Sequence, residues 1–412
     1  MTLGWRRRWI ALRYVNFRLW FAAGLVSNLG TWMQRTAQDW LVLTELTHRD
    51  ARAVGIVMAL QFGPQFVLLP WTGYAADRFE GRRLLMVTQA VMGTLSLLLG
   101  GLALAGVAQL WHVYLLALLS GVAAAFDAPV RQVFIAELVG DDHLGNAIAL
   151  NSTSFNAARL VGPALAGLSI GAVGSGLSFV ANGLSFFVAV AVLLRLRPSE
   201  MQVRARALAA PGRLLEGFSY IAARRDLRTI CLMLFVVGTF GLNFPIYVST
   251  MAVGVFGLGP TGFGLLTSAL AGGTLAGAVL ATGGERPRFE TITGAAGLFC
   301  LGGILAAVAP TAWVFAAALA LMGIASLGFT NVTNTLMQLS SEPAMRGRVM
   351  AIRLAIALGG TPIGAPLAGW TAHAFNPRWS LALAALAGLA AMAIGLRYQR
   401  ADGLPVGKGT PP

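Results

Sequence analysis

Long apolar runs separated by short connections constrain this 412-residue chain more than any other feature. A helix needs about 20 apolar residues to cross the hydrocarbon core of a bilayer, and only helices or closed barrels satisfy their backbone hydrogen bonds there. The runs therefore predict an all-α integral membrane protein with 12 transmembrane helices. These predicted spans cover residues 18–45, 53–76, 84–106, 111–137, 146–170, 175–195, 228–252, 258–281, 290–309, 312–337, 348–372 and 378–397.

The basic residues fall almost entirely on every second connection. Of the 30 lysines and arginines, 25 lie in the tails or at one set of alternate connections. The opposite connections hold Arg49, Arg52 and Arg378, whereas Arg35 and Arg159 lie inside apolar runs. Because lysine and arginine accumulate on cytoplasmic loops, we expect both termini to be cytoplasmic.

Composition excludes a soluble globular protein, because the mean hydropathy is +0.71 and only 11% of the residues are charged. The net charge of +14 would suit nucleic acid in a soluble protein. Here the charges lie at predicted cytoplasmic helix ends, so we expect membrane lipid and not nucleic acid as their partner. The near absence of lysine is typical of a GC-rich bacterial genome and favours the bacterial cytoplasmic (inner) membrane, with multiple crossings.

The longest connection divides the chain into two sets of six spans. We predict an N-terminal six-helix bundle at 1–195, a cytoplasmic linker at 196–227, a C-terminal six-helix bundle at 228–398 and a cytoplasmic tail at 399–412. Apolar linker residues at helical spacing predict a short amphipathic helix, which lies on the membrane surface or is an ordinary solvated helix. They are Leu214, Leu215, Phe218 and Ile221, opposite Arg213, Glu216 and Arg224.

The two halves resemble each other at a fixed offset of 202 residues. Trp111 matches Trp313, Gly145 matches Gly347, and the stretch 162–167 (GPALAG) matches 364–369 (GAPLAG). An offset of six helices preserves topology, so these are parallel, pseudo-symmetric repeats. Such repeats favour a transporter whose halves alternate around a site near the middle of the membrane.

Polar residues follow one face of the first span. Asn28, Thr31, Arg35, Gln38 and Asp39 recur at helical spacing on an otherwise apolar helix. Ionisable groups at this depth are costly and commonly functional. Two interpretations are open: the face handles substrate or protons in a water-filled cavity, or Arg35 and Asp39 form a structural ion pair.

The fourth and fifth spans carry a second pair of charges. The rise of the two helices brings Asp127 and Arg159 to similar depth, so they are candidates for pairing. Such a pair serves either as a proton switch or as a permanent bridge that Arg131 shares.

The connection after the second span contains Gly73, Asp77, Arg78, Arg82 and Arg83 in the string GYAADRFEGRR. The string resembles the Gly-x-x-x-Asp-Arg-x-Gly-Arg-Arg signature of the major facilitator superfamily. It departs from that signature at Glu80, where glycine is expected. The resemblance implies the fold of that superfamily, two six-helix bundles, and a conformational latch at these residues.

Gly162, Pro163 and Gly167 resemble the antiporter motif of the same superfamily, Gly-Pro-x-x-Gly-Gly. The opening strings NFRLW (16–20) and GTWMQ (30–34) are similar to the branch that contains macrolide efflux pumps and enterobactin exporters. The motif favours export, although a proline kink with small-residue packing is an equal interpretation.

The second half carries neutral polar residues in place of charges, namely Asn243, Tyr247, Asn331 and Asn334. With nearby aromatic residues they predict an amphipathic cavity suited to bulky organic molecules, unless the aromatics pack in the core or face lipid. The aromatics are Trp32, Phe126, Phe155, Phe240, Phe244 and Phe329.

These patterns together favour a proton-coupled exporter of amphipathic organic compounds, in which Asp39, or Asp127 with Arg159, exchanges protons. A siderophore exporter and an uptake symporter are the alternatives, and a membrane enzyme or receptor is disfavoured because no nucleophile with a base is apparent. Cys231, Cys300 and the four histidines have no metal-ligand spacing. No phosphate-binding glycine loop indicates ATP, so we expect no cofactor, a proton gradient as energy source, and function as a monomer.

Overall fold

A computed structural model describes residues 9–140, 142–202, 214–280 and 288–402, and this described part is built from helices without a strand. The first half contains α1 (Val15–Trp40), α2 (Ala51–Val67), α3 (Leu69–Arg78), α4 (Gly81–Leu104), α5 (Leu110–Val139), α6 (Leu144–Val173) and α7 (Gly176–Arg195). The second half contains α8 (Leu214–Ala223), α9 (Arg225–Phe240), α10 (Phe244–Thr250), α11 (Pro260–Leu280), α12 (Phe289–Val308), α13 (Ala312–Ser340), α14 (Arg346–Gly359), α15 (Thr361–Ala374) and α16 (Pro377–Asp402).

Ten stretches of the described chain are long and apolar enough to cross a membrane, and they coincide with the third to twelfth predicted spans. The first two predicted spans fall outside this set. Helix α1 carries Arg35, Asp39 and several amides, and the second span is divided at Leu68 into α2 and α3. The all-helical membrane class is therefore confirmed, whereas the number 12 and the sides of the termini stay predictions.

Several helices change geometry near their ends. Helix α1 continues into a π-helical turn (Leu41–Leu46), and α10 continues into another (Met251–Val255). The predicted seventh span breaks between α9 and α10, where Pro245 supplies the first turn of the new helix. Proline suits that position because its missing N–H has no helical acceptor there. The predicted eleventh span likewise divides at Gly360 into α14 and α15.

The described helices form two compact units. Unit 1 comprises Met1–Thr47, Pro64–Ala209 and Gly259–Ser268. Its core includes Phe17 and Trp20 of α1, Phe134 of α5 and Leu193 of α7. Asn16 fastens the start of α1 to the end of α7, because its amide donates to the carbonyl of Arg197 at 2.9 Å and accepts from that residue's N–H at 3.0 Å.

Unit 2 comprises His48–Gly63, Ala210–Leu258 and Ala269–Pro412. Its core includes Met233 of α9, Phe329 of α13 and Val349 of α14. Each unit thus combines most of one predicted bundle with a short segment that belongs to the other bundle in sequence. Those short segments are important for the site, as described below.

The predicted linker helix is present as α8 and packs against α14. Ile221 is buried, and the Glu216 carboxylate pairs with Arg348 at 2.7 Å. Phe218 is exposed. Arg213 and the side chains of Leu214 and Leu215 lie outside the described residues. A packed face with an ion pair to a neighbouring helix means that α8 belongs to unit 2 and is more than a solvated connection.

Candidate functional site

Two membrane-embedded arginines of unit 1 lie against one indole ring. The guanidinium carbon of Arg35 is 5.0 Å from the centre of the Trp32 ring, and that of Arg159 is 5.4 Å from it. Phe155 meets the same indole edge-on, with centroids 5.7 Å apart. Cations over an indole are stabilised by its quadrupole, more strongly where water is scarce. Helices α1 and α6 thus build a cationic, aromatic site.

Gly162 allows α6 to approach this site closely. A β-carbon at Gly162 would lie 2.6 Å from Cβ of Trp32, which is closer than real side chains tolerate. The first residue of the antiporter-type motif therefore fixes the crossing of α6 on α1 at the indole. This contact brings Arg159, less than one turn away along α6, beside Trp32 and Arg35.

Asp39 is the carboxylate nearest to Arg35 along α1. It is half-buried. Within the described part of the chain, Arg35, one turn earlier on α1, is the charged group that interacts with the Asp39 carboxylate. Arg159 forms no ion pair with any described residue. The site therefore has two cations, one carboxylate and an aromatic floor.

The other predicted residues of the α1 face are tied to neighbouring helices. Asn28 donates to Ser154 of α6 at 3.4 Å, Thr31 donates to Asn182 of α7 at 3.5 Å, and Gln38 is buried. A polar network that the sequence did not indicate continues behind them. Asn182 donates to Gln34 at 2.7 Å, and the hydroxyl of Ser96 on α4 donates to the same Gln34 oxygen.

Of the two partners predicted for Asp127, Arg159 and Arg131, the structure pairs it with Arg131. Its Oδ2 accepts from Arg131 at 3.0 Å, and its Oδ1 accepts from Thr88 at 2.9 Å and from Gln89 at 2.7 Å. Both carboxylate oxygens are bonded, and the side chain is buried. The pairing of Asp127 with Arg159 is absent among the described contacts. Residues four apart on one helix face each other, which explains why Arg131 takes this place.

The latch residues lie at the end of α3 and the start of α4. Arg82 donates to the carbonyls of Leu193 and Leu194 at 2.7 and 3.0 Å, so it caps the end of α7. Arg83 pairs with Glu80 at 2.6 Å, and both are exposed. Glu80, which replaces the expected glycine, thus has a partner of its own.

The remaining latch residues make few described contacts. The guanidinium of Arg78 lies 5.9 Å from the Tyr74 ring, and Gly73 is exposed. Asp77 is part of α3, but its side chain lies outside the described residues.

The Gly-Pro motif of α6 packs directly against the first turns of α11 within unit 1. We call such a contact, in which a glycine lets two helix backbones touch, a seat. A β-carbon at Gly167 would lie 2.6 Å from the carbonyl oxygen of Pro260. One at Gly264 would meet the carbonyl oxygen of Pro163, and Thr261 donates to the carbonyl of Gly167 at 3.4 Å. Backbone therefore lies directly on backbone along this crossing.

The repeated motif on α15 does the same for α2 within unit 2. A β-carbon at Gly55 would lie 2.6 Å from the carbonyl oxygen of Ala365, and one at Gly369 would meet the carbonyl of Ala51. Asp50, just before α2, contacts His373 of α15 at 3.2 Å. Gly167 and Gly369 are equivalent at the 202-residue offset, so the internal repeat extends to matching helix seats.

The neutral polar residues of unit 2 fall into two groups. Asn243 and Tyr247 are fully buried at the break between α9 and α10, where Asn243 donates to the carbonyl of Thr239 at 2.7 Å and Tyr247 donates to that of Phe240 at 2.6 Å. Both cap carbonyls that the break frees. Asn331 is exposed and Asn334 half-buried on α13, so these two remain accessible.

The predicted aromatics are also divided. Phe244 and Phe329 are buried in unit 2, whereas Phe240 is half-buried. In unit 1, Phe126 is half-buried and Phe155 is exposed. Core packing therefore accounts for Phe244 and Phe329, and the others remain available to a ligand or to lipid.

Arg353, near the start of the predicted span 348–372, is buried in unit 2 with 8% of its surface exposed. It donates to the carbonyl of Thr330 at 2.8 Å and forms no ion pair with a described residue. Its Nε has no hydrogen-bond acceptor among the described residues. A buried cation without a carboxylate is costly and is a third candidate for contact with an anionic ligand.

An all-helical membrane chain with repeated halves, embedded arginines and paired Gly-Pro seats has the architecture of a major facilitator transporter. The chain belongs to the transmembrane secretion effector family of that superfamily, whose profile matches residues 7–404. The protein is therefore a multi-pass membrane transporter of the bacterial inner membrane, and not an enzyme.

Curated relatives include transporters of two kinds. The multidrug efflux pump Tap of Mycobacterium tuberculosis is 28% identical over 376 residues, 84% of each chain. The enterobactin exporter EntS of Salmonella typhimurium is 26% identical over 387 residues, 92% of this chain and 90% of the exporter. The staphyloferrin A transporter of Staphylococcus aureus is 28% identical over 180 residues, but this match spans less than half of that protein, 45% of its length.

Solved structures share the fold. A bacterial homolog of the human lysosomal transporter Spinster, inward-facing and unoccupied, superposes with a TM-score of 0.74 at 16% identity, covering 93% of this chain and 97% of that one. The nucleoside transporter NupG gives a TM-score of 0.70 at 12% identity, covering 94% of this chain and 99% of that one.

Proposed function

We propose that this transporter is a proton-coupled exporter of amphipathic organic compounds that works by alternating access. It uses the proton gradient as its energy source, requires no cofactor and functions as a monomer. The arginine distribution supports 12 membrane helices with both termini cytoplasmic. A reporter that fluoresces only in the cytoplasm, fused after residue 412 and compared with one inserted at the connection 107–110, tests this orientation.

The direction and the cargo class rest on two kinds of support. The chain belongs to a family of secretion effectors, and two relatives aligned over most of the chain are an efflux pump and an exporter. The indole of Trp32 and the exposed ring of Phe155 offer flat apolar surfaces beside charged groups. Aromatic surfaces with a few polar groups suit bulky amphipathic molecules.

The choice of proton carrier rests on the different hydrogen bonding of the two candidate carboxylates, Asp39 and Asp127. Asp127 is buried and accepts hydrogen bonds from three side chains, so protonating it would break this set of hydrogen bonds. Asp39 is half-buried and is acted on by the charge of Arg35 alone in the described chain. A carboxylate that gains or loses a proton during transport needs a place where cargo or water can reach it. We assign this role to Asp39, which keeps part of its surface exposed, and not to the buried and fully hydrogen-bonded Asp127.

Inverted membrane vesicles with an acidified interior and a pH-sensitive dye test the proposal. Addition of an amphipathic drug is expected to release protons from vesicles that contain the wild-type protein. Asp39→Asn is expected to abolish this release, Asp39→Glu to restore part of it, and Asp127→Asn to retain it. The proposal fails if Asp39→Asn still couples cargo to protons, and proton uptake with the cargo instead of release would favour an uptake symporter.

A siderophore exporter is the second candidate, and the Arg35–Trp32–Arg159 arrangement favours it. Two guanidinium groups on one indole attract an aromatic acid such as a catecholate. Titration of purified protein with catechol acids, read by quenching of tryptophan fluorescence, tests this candidate. Arg159→Gln is expected to weaken binding of acids by about tenfold and to leave neutral amphipathic compounds nearly unchanged. Equal effects on both classes would exclude it.

A further inference from the structure

A groove opens at the surface of unit 1 between α3, α4 and α5. Its volume is about 420 Å³ and its accessible lining is entirely apolar. Val87 and Val91 at its mouth are exposed, whereas Ala123 and Leu95 at its floor are buried. The complete lining comprises Ala75, Phe79, Leu84, Val87, Thr88, Val91, Leu95, Leu119, Val122, Ala123 and Phe126.

The length of the groove matches one leaflet of a bilayer. Along α4 it extends from Leu84 to Leu95, which at 1.5 Å per residue is about 16 Å. Half of the hydrocarbon core of a bilayer is about 15 Å thick. Its inner end, at Phe79 and Leu84, coincides with the latch connection, which the arginine distribution assigns to the cytoplasmic side. The groove therefore runs from the cytoplasmic edge to the middle of the membrane.

Basic side chains border the inner end. Arg78 precedes Phe79 and Arg83 precedes Leu84, and both arginines are exposed. Glu80 pairs with Arg83 and partly offsets its positive charge, whereas the described contacts of Arg82 are with the carbonyls of α7. Including Asp77, the stretch 77–83 retains a net positive charge. Anionic headgroups are attracted to such positions at the cytoplasmic surface.

From this apolar length and charged edge we propose that the groove binds an anionic phospholipid of the inner leaflet. One acyl chain lies between α4 and α5, and the headgroup phosphate contacts Arg78 and Arg83. The acyl chain lies against Thr88, whose hydroxyl donates to Asp127. Occupancy thus supports the packing of α3 and α4 at the latch, independently of which cargo the transporter carries.

Native mass spectrometry of the purified protein with defined lipids tests this site. Phosphatidylglycerol is expected to remain bound after detergent exchange, and Val91→Trp, which fills the mouth, is expected to lower its occupancy about tenfold because acyl methylenes lose their contacts. Val188→Trp is the matched control, because Val188 is an exposed residue of α7 outside the groove. Equal lipid retention in the two variants would overturn the proposal.

The headgroup contact is tested separately. Arg78→Gln and Arg83→Gln are each expected to weaken phosphatidylglycerol binding about fivefold, without effect on phosphatidylcholine. Arg195→Gln, at another exposed arginine of the same unit, is expected to change neither. If phosphatidylcholine binds as tightly as phosphatidylglycerol, the headgroup assignment is wrong. If an amphipathic drug occupies the groove in a Val91-dependent manner and the lipid does not, the groove is a cargo entrance and the lipid assignment is wrong.

Discussion

At the scale of single residues, the number of donors around a carboxylate decides whether it holds helices together or remains available for exchange. Asp127 is surrounded by a guanidinium, a hydroxyl and an amide from two helices. Hydrogen bonds to charged groups stabilise a fold more than neutral ones do, and removing one partner leaves the others unpaired. Asp127 therefore acts as a structural centre of α4 and α5.

Replacing Asp127 by asparagine is expected to lower the free energy of unfolding by about 2 kcal/mol, because Arg131 loses its charged acceptor. Thermal unfolding in detergent, followed by tryptophan fluorescence, measures this change. Thr88→Ala removes one donor from the same carboxylate and is expected to have a smaller effect. An Asp127→Asn protein as stable as wild type but deficient in proton coupling would instead make Asp127 the proton carrier.

The contacts of Asp50 are expected to make the stability of the fold depend on pH in the acidic range. Hydrogen bonds from Arg52, and in addition the charge of His373, lower the pKa of the Asp50 carboxyl below its ordinary value. A carboxyl whose pKa is lowered by folding contributes stability above its unfolded-state pKa, and this contribution is lost as the pH falls through the folded-state pKa. The loss therefore begins below about pH 4.

Unfolding of wild-type protein and of Asp50→Asn between pH 3 and pH 8 checks this effect. The wild type is expected to be more stable by about 1 kcal/mol at neutral pH, since partly exposed ion pairs contribute little. The difference is expected to shrink as the pH falls below about 4 towards the lowered pKa of Asp50. A difference that is independent of pH would show that Asp50 acts through packing and not through its charge.

At the scale of helices, the two Gly-Pro motifs act by close contact of backbones. Gly264 lies on Pro163 in unit 1, and Gly55 lies on Ala365 in unit 2. Neither seat has room for a β-carbon, so even alanine must separate the helices. The kink interpretation of Pro163 and the seating role are compatible, because small neighbours accompany the proline on both motifs.

Gly264→Ala and Gly55→Ala are each expected to destabilise the protein by about 1–3 kcal/mol through overpacking. Gly24→Ala and Gly238→Ala are the matched controls, because these helical glycines have no neighbouring atom within 4 Å of a new β-carbon. Alanine there is expected to be neutral or to stabilise by up to about 1 kcal/mol. Thermal unfolding of all four variants measures these changes in stability. Equal stabilities of the two seat variants and the two control variants would contradict the seating role.

The sequence was sufficient for features that depend on spacing along one helix. Apolar length identified ten spans that the structure also has, and the latch string located Arg82, although its acceptors on α7 were not visible. Helix rise fixes the depth of Asp127 and Arg159 but not the direction in which each side chain points, so it could not decide between Arg159 and Arg131 as the partner of Asp127. The burial of Arg353 could not be predicted from the sequence because it depends on packing against α13. Asn243 and Tyr247 are buried because they cap a helix break, and Pro245 is the residue that indicates this break in the sequence.

At the scale of the whole molecule, the two compact units do not coincide with a simple division of the chain. Unit 1 includes Gly259–Ser268 from the second half, and unit 2 includes His48–Gly63 from the first. Each of these segments carries one of the glycine seats. Separating the halves therefore removes a packed element from each unit, in addition to cutting a connection.

A chain divided between residues 209 and 210 is expected to accumulate only when both parts are produced together. Residues 210–412 alone lack Gly55, which lies on Ala365, and residues 1–209 alone lack Thr261, which donates to Gly167. Each part then exposes a helix face adapted to backbone contact, and such proteins are degraded in cells. A full chain cut at an inserted protease site after folding is the control and should remain assembled. If either part alone is as stable as the full chain, the exchanged segments contribute little to folding, and the seats act only during transport.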